Sequence, residues 1–461
     1  MSAPLIALSL NEWDARYAEL RAAGLKEPAY GGPLSRHLDE GDLRLAKLRF
    51  DPSPAALRLW NFLLTEEERL AQARASGKKI VGTMKDLGTV PVMAYALPNL
   101  TAFYPDGAWW IPCVMEHSAG VYRAADALGV DESFCPVRAM LGAFATKAHF
   151  PLPDLLVCSV GATCDDFSAI AQRLNGLGHP VFWWEIPHRR APVHGETAVR
   201  LPTGFAAPSE QVAFVRGELE RVCHALEELA GEALGRERLA EGIRVANEAR
   251  NRLNELRRLV YRTDPGTPCP LPALEMLIAE MLIIHFCSDR EETLAVYADL
   301  LNEVRTRREA GIGMAADAVR VFWVNPVADL RAMNILEDCG GRLCGTEYLF
   351  CHALDAIPED IEPMDALART ALADPMVGPS RDRADRICRD AELGRAEALI
   401  VSRIPGASHC PYEAGAIRAA VERRLGIPVL EMEIPPVSDA FQPALRTRIE
   451  ALIETVRNRR G

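Results

Sequence analysis

The sequence predicts an α/β protein built from two doubly wound parallel-sheet units, with a helical region before the first and a helical insert between them. Three observations carry this prediction. In two separate parts of the chain, short apolar runs rich in branched residues alternate with amphipathic stretches, the pattern of parallel strands joined by crossover helices. Between those parts, from Ser209 to Gly311, apolar side chains recur at steps of three and four. In each α/β part a cysteine follows a strand closely, at the strand end where open sheets place their ligands.

A chain of 461 residues exceeds one ordinary core. The expected division is a helical region 1–77, a first α/β domain 78–208, a helical insert 209–317 and a second α/β domain 318–461. Hydrophobic content of 49% and charged content of 25% are ordinary globular values. A net charge of −12 argues against a general nucleic-acid or anionic-membrane binder. No run approaches the roughly 20 apolar residues that span a bilayer, and the amino terminus lacks signal-peptide order. A cytoplasmic protein is expected. Twelve cysteines without a CxxC pair form neither a disulfide framework nor a zinc-ribbon or ferredoxin spacing.

In chain order, Leu57, Trp60, Leu63 and Leu64 make one apolar stripe ahead of Glu66-Glu67-Glu68-Arg69, so the first region reads as packing or subunit-contact helices. Lys79–Met84 reads as a strand and Thr101–Tyr104 as a short second one, while Val90–Ala96 is apolar without deciding between helix and strand. Met115, Ala119, Tyr122 and Ala125 share a helical face that Gly129 terminates. Ser133-Phe134-Cys135-Pro136-Val137-Arg138 is a turn that opens another helix. Leu155–Val160 is too short for a buried helix and reads as a central strand. Gly161 ends it, and Asp165-Asp166 form the first turn of a helix reaching about Leu174. Pro180–Ile186 is a further buried strand. In the insert, Val215, Leu219, Val222, Leu226 and Leu229 mark one helix and Ile243, Ala246, Leu253 and Leu256 the next. Two more cover Leu274–Phe286 and Glu291–Arg308. The second unit has strands at Val319–Val324, Arg342–Tyr348, Ala398–Ser402 and Val429–Ile434, and a last helix from Pro443 to Arg457.

Cys164 falls just past a strand and at a helix amino terminus, whose positive end favours a thiolate. A buried thiol in a tight turn is the plainer reading. Cys410 stands in the same place after the Ala398–Ser402 strand, before Pro411, so the chain reads as a weak duplication. If the units face each other, Cys135 and Cys164 approach from one side and Cys410 from the other. Three thiolates suit a cubane cluster with one iron left open, while His409 beside Cys410 keeps zinc in view. Most remaining cysteines should be small buried hydrophobes: Cys223 and Cys287 on helical segments, and Cys339, Cys344 and Cys388 by packing.

Several motifs in order extend this: Cys135-Pro136-Val137-Arg138 with Gly142, Thr163-Cys164-Asp165, Trp184-Glu185-Ile186-Pro187, Asn251-Arg252-Leu253, and Ser402, Cys410 and Gly426-Ile427-Pro428-Val429-Leu430-Glu431. Together they resemble the 2-hydroxyacyl-CoA dehydratase and benzoyl-CoA reductase family, from about Gly77 to the carboxyl end. The resemblance implies two flavodoxin-like domains with a 4Fe-4S cluster between them, and Cys135, Cys164 and Cys410 as its ligands. It implies a homologous second subunit or a homodimer, a CoA-thioester substrate, and a separate ATP-hydrolysing iron–sulfur activator that supplies single low-potential electrons. The implied reaction passes through a ketyl-type radical to eliminate water or reduce an aromatic ring.

Two departures bear on this. Val90-Pro91-Val92-Met93 stands where the family carries a Pro-Glu-Glu-like element, which puts the substrate contacts there in doubt. Cys113, in Trp110-Ile111-Pro112-Cys113, is an extra thiol that would act as a fourth ligand or belong to a second cubane. A fourth ligand makes a closed electron relay; a second cubane matches the family branch whose sulfide-bridged double-cubane proteins reduce small molecules. Cys351 is the next candidate thiol. The expected function is therefore the iron–sulfur subunit of an activator-dependent, one-electron CoA-thioester reductase or dehydratase. The alternatives are a double-cubane reductase of small molecules and a non-catalytic electron-transfer subunit.

Arg138 and the trio His188-Arg189-Arg190 are read as contacts for CoA phosphates or as plain surface charge, and Glu116-His117 as a proton relay or a capped helix start. No Walker loop or nucleophile elbow is present, so the chain should not hydrolyse ATP itself. No catalytic acid or base is assigned.

Overall fold

The computed structural model describes residues 5–25, 31–38, 45–84, 88–105, 118–147, 150–283, 288–348, 354–408, 412–436 and 439–460. Helices α1 (Leu10–Ala22), α2 (Pro54–Leu64) and α3 (Glu66–Ala75) precede the first sheet. Ser53 caps α2 by accepting the Ala56 N–H at 3.2 Å, with Pro54 in the first turn where its missing N–H costs nothing.

The first sheet has β1 (Lys79–Met84), β2 (Leu100–Phe103), β3 (Leu155–Gly161) and β4 (Val181–Ile186), all parallel, in the order β2-β1-β3-β4. Its connections carry α4 (Val90–Tyr95), α5 (Ser118–Ala127), α6 (Ala139–Thr146) and α7 (Asp165–Gly176). The undecided run Val90–Ala96 is thus helical, with Pro91 in its first turn. α5 and α6 cross at Gly142, where an added Cβ would lie 1.9 Å from the Val121 carbonyl oxygen. That contact explains the glycine of the Cys135 motif.

A two-stranded antiparallel hairpin of β5 (Ala198–Arg200) and β6 (Ala206–Pro208) follows. Nothing in the sequence marks it, since three-residue strands carry no readable period. Next come α8 (Ser209–Ala230), α9 (Arg236–Tyr261), α10 (Ala273–Leu282) and α11 (Arg290–Ala310), matching the four helices expected.

The second unit runs β7 (Val319–Val324), α12 (Arg331–Asp338), β8 (Gly341–Glu347), α13 (Pro363–Ala373), α14 (Ser380–Leu393), β9 (Ala398–Arg403), α15 (Ala414–Leu425), β10 (Val429–Glu433) and α16 (Gln442–Arg460). Its parallel strands lie in the order β10-β9-β7-β8. Counted from each unit's own first strand, both sheets read second, first, third, fourth. This is the flavodoxin-like order, whose switch point lies between first and third strands. The duplication read from the two cysteines is therefore a duplication of topology.

Strand residues alternate between two apolar layers, as a sheet covered on both faces requires. In the first sheet Val81, Val157 and Trp184 pack with α8 and, from the second unit, α13, while Ile80, Leu156 and Cys158 pack with α5, α6 and α7. In the second sheet Val321, Trp323 and Ile400 share a core with Trp13 and Trp60 of the amino-terminal helices and with α10 and α11. Phe322, Leu399 and Val401 face α14 and α15. The units interlock. The amino-terminal helices cover the second sheet, and α13 from the second unit covers the first.

One buried acid makes this core pH-sensitive. Glu275 accepts hydrogen bonds from Asp51 N–H (3.0 Å) and Trp60 Nε1 (3.1 Å) and is fully buried. Burial first, then the nearby Asp51 carboxylate, raises its pKa. Asp51 is itself paired with Arg307. Because the folded pKa lies above the unfolded one, the stabilisation is complete below the ordinary carboxylate range and is lost as pH rises through the folded value. Glu275→Gln should remove that dependence. Chemical denaturation between about pH 5 and about pH 9 should show the variant gaining on the wild type with a limiting slope of about 1.4 kcal/mol per pH unit.

Candidate functional site

The site is built at the carboxyl ends of the strands. Gly161 (φ +99°) closes β3, and an added Cβ would lie 2.3 Å from the Ile186 carbonyl oxygen, so only glycine permits this turn. That oxygen accepts the Ala162 N–H at 2.8 Å, tying the turn to the end of β4. Cys164 then occupies the N-cap position of α7 with extended backbone, and its side chain caps nothing. Instead its Sγ faces Asp166 Oδ2 at 3.8 Å. Cys135 is half-buried and precedes Pro136, opening a short 3-10 turn (Pro136–Arg138) that runs into α6. Both thiols belong to one apolar layer with Val137, Met140 and Phe167, closed from the second unit by Met376.

The loop after β9, which leads to Cys410, comes to these two cysteines. The Ser408 N–H donates to Asp166 Oδ2 at 2.8 Å. At Gly406 (φ +78°) an added Cβ would lie 2.6 Å from the Phe134 carbonyl oxygen and 3.1 Å from the Cys135 nitrogen. A side chain there would push the loop off Cys135. Among the described residues no group of three or more cysteine, histidine or acidic side chains could hold a metal ion. Cys410 itself lies outside the described residues, as do Cys113, Cys287, Cys351, His409, Glu116 and His117.

The far side of the loop is anchored by Arg383 of α14, whose side chain is fully buried. Its guanidinium donates to Glu347 at the end of β8 (2.9 and 2.7 Å), to Asn325 just past β7 (2.7 Å), and to Glu413 at the start of α15 (2.5 Å). Asn325 adopts φ +71°, a left-handed conformation asparagine tolerates. One buried cation thus joins two strand ends to the segment that follows Cys410.

Other sequence candidates resolve differently. Arg138 donates to Asp126 (2.5 Å) and to the Tyr122 and Val130 carbonyls, and stacks over the Tyr122 ring. It serves helix packing, which corrects its reading as a phosphate contact. Within the basic trio, Arg190 pairs with Glu196. Arg189 is buried between the units, donating to Asp382 at 3.0 Å and lying over the Phe205 ring. Burial pushes the thiols of Cys344 and Cys223 up to about 12, and raises those of Cys158 and Cys388 too. These are neutral packing groups, as expected for Cys223, Cys344 and Cys388. Beyond the ends of β1 and β2, Gly88, Val92, Tyr104 and Ala246 help line an apolar cavity of about 50 Å³.

The sequence pattern does not mark Asp166, Arg383 or Gly406 as site residues. Asp166 looked like an ordinary helix-start acid, and nothing local marks an arginine on α14 as buried.

A duplicated α/β protein with Cys164 just past a strand's carboxyl end belongs to the class of open-sheet folds that place their ligands outside the strand ends, at a topological switch point. The chain matches the family described as 2-hydroxyglutaryl-CoA dehydratase, D-component, over residues 103–456, and it belongs to that family. The family is one of dehydratase components acting on CoA thioesters, and the D-component designation implies a partner subunit. Comparison with curated proteins gave no match. No helix among the described residues is long and apolar enough to cross a membrane.

Proposed function

We propose that the chain is the iron–sulfur component of a 2-hydroxyacyl-CoA dehydratase-type enzyme, with Cys135, Cys164 and Cys410 as ligands of a 4Fe-4S cluster. The supporting observation is the seating of the Cys410 loop, hydrogen-bonded through Ser408 to the residue facing Cys164 and packed on the backbone of Cys135. The donor chemistry fits: two thiols, the half-buried Cys135 and the buried Cys164 at a helix amino terminus, pack in one apolar layer. The bound cluster would supply the single electron that makes loss of the substrate hydroxyl as water possible.

The chain's own residues then have three tasks. Cys135 and Cys164 would hold iron from the first unit. Val137, Met140, Phe167 and Met376, in the same apolar layer as the thiols, would keep water from a bound cluster and favour a low potential. The loop 404–408, docked on the first unit, would lead the third cysteine in from the second. A separate ATP-hydrolysing activator delivers the electron, and a homologous subunit completes the enzyme.

The test combines the chain with its partner subunit, an activator, ATP and a low-potential reductant without oxygen, and follows conversion of a 2-hydroxyacyl-CoA to the enoyl-CoA. Turnover with a thioester-induced change in the reduced cluster's spin-resonance signal supports the reading. A cluster indifferent to the thioester, with no turnover, overturns it in favour of an electron relay closed by Cys113. About twice the iron of one cubane, dependent on Cys113, would instead mark a double-cubane reductase.

A further inference from the structure

We propose that Asp166 is a positioning residue that docks the loop leading to the third cysteine beside Cys164, and that its charge would hold the cluster potential down. The proposal rests on the cluster reading above. Two first-turn acids open α7, and they behave differently. Asp165 is exposed, the usual place for an acid that complements a helix amino terminus. Asp166 is only 5% exposed. Its Oδ2 reaches across to the second unit and accepts the Ser408 N–H at 2.8 Å, two residues before Cys410. The same oxygen stands 3.8 Å from Cys164 Sγ.

A buried carboxylate costs free energy unless its oxygens are hydrogen-bonded and its charge is offset. Here the Ser408 N–H and the positive end of α7 contribute to both, so undocking the loop removes a hydrogen bond from the buried acid. A cluster held by Cys164 would require its thiolate, with the proton lost to solvent, and would place a second negative charge beside the Asp166 carboxylate. A negative charge near a cluster destabilises the reduced, more negative state and so lowers the reduction potential. One residue therefore does two things. It latches the loop of the third cysteine, and it favours the strongly reducing state that the proposed chemistry needs.

Asp166→Ala and Asp166→Asn in the full chain separate these effects, because asparagine keeps an acceptor oxygen for Ser408 and removes the charge. Hydrogen exchange of residues 404–408 in iron-free protein reads the latch. Asp166→Ala should exchange there roughly tenfold faster or more, with β1 and β3 still protected, and Asp166→Asn should stay close to wild type. After anaerobic reconstitution Asp166→Ala should hold less iron. Asp166→Asn should hold wild-type iron at a higher midpoint potential. Unchanged exchange in Asp166→Ala overturns the latch, and an unchanged potential in Asp166→Asn overturns the charge effect. If the wild type binds no iron, the cluster reading and the charge effect fall with it, and the exchange experiment alone decides the latch.

Discussion

Cys164→Ala, purified and reconstituted without oxygen, is expected to lose most of the roughly four iron per chain that one cubane requires. Cys158→Ala is the matched control. Both thiols lie in the same apolar layer, and both are buried. Cys158 sits inside β3 with its thiol pushed up by burial, whereas Cys164 sits at the open end of the strand and the start of α7. The control should keep its iron and lose about 1–2 kcal/mol of stability through a small cavity. Iron analysis beside thermal unfolding checks both. Equal iron in the two variants would remove Cys164 from the ligand set.

Arg383→Leu should destabilise the protein by about 3–5 kcal/mol in urea denaturation, the usual cost of removing one partner from a buried ionic network. The arginine is fully enclosed, and its removal takes the cation from Glu347 at the end of β8 and from Glu413 at the start of α15. Hydrogen exchange should rise first in residues 412–425, the segment Glu413 begins. A loss below about 1 kcal/mol would mean that solvent reaches those carboxylates and that the loop is anchored elsewhere.

The two sheets were legible because parallel strands buried on both faces are near-continuous apolar runs, and Val319–Val324 or Ala398–Arg403 cannot easily be anything else. The helical insert was legible from its period. Val90–Tyr95 was not, because six apolar residues hold too few turns to show a period. The interlocking of the units was also hidden. Hydrophobic pattern says that α13 buries a face, but not that the face meets the first sheet.

At the site, the strand–Gly161–Cys164–helix grammar was readable because each residue type has a local reason to stand there. Asp166 has an evident local role as a helix-start acid, while its partner is 242 residues away in sequence. Arg138 shows the converse. It stands in a motif that suggested an anion contact, yet its charge is matched by Asp126 and carbonyl groups.

Iron and acid-labile sulfide counted on the wild-type chain, purified and reconstituted without oxygen, test the cysteine site most directly. About four of each per chain are expected, as one cubane requires. Iron-free protein that still supports dehydration of a 2-hydroxyacyl-CoA at the wild-type rate would contradict it.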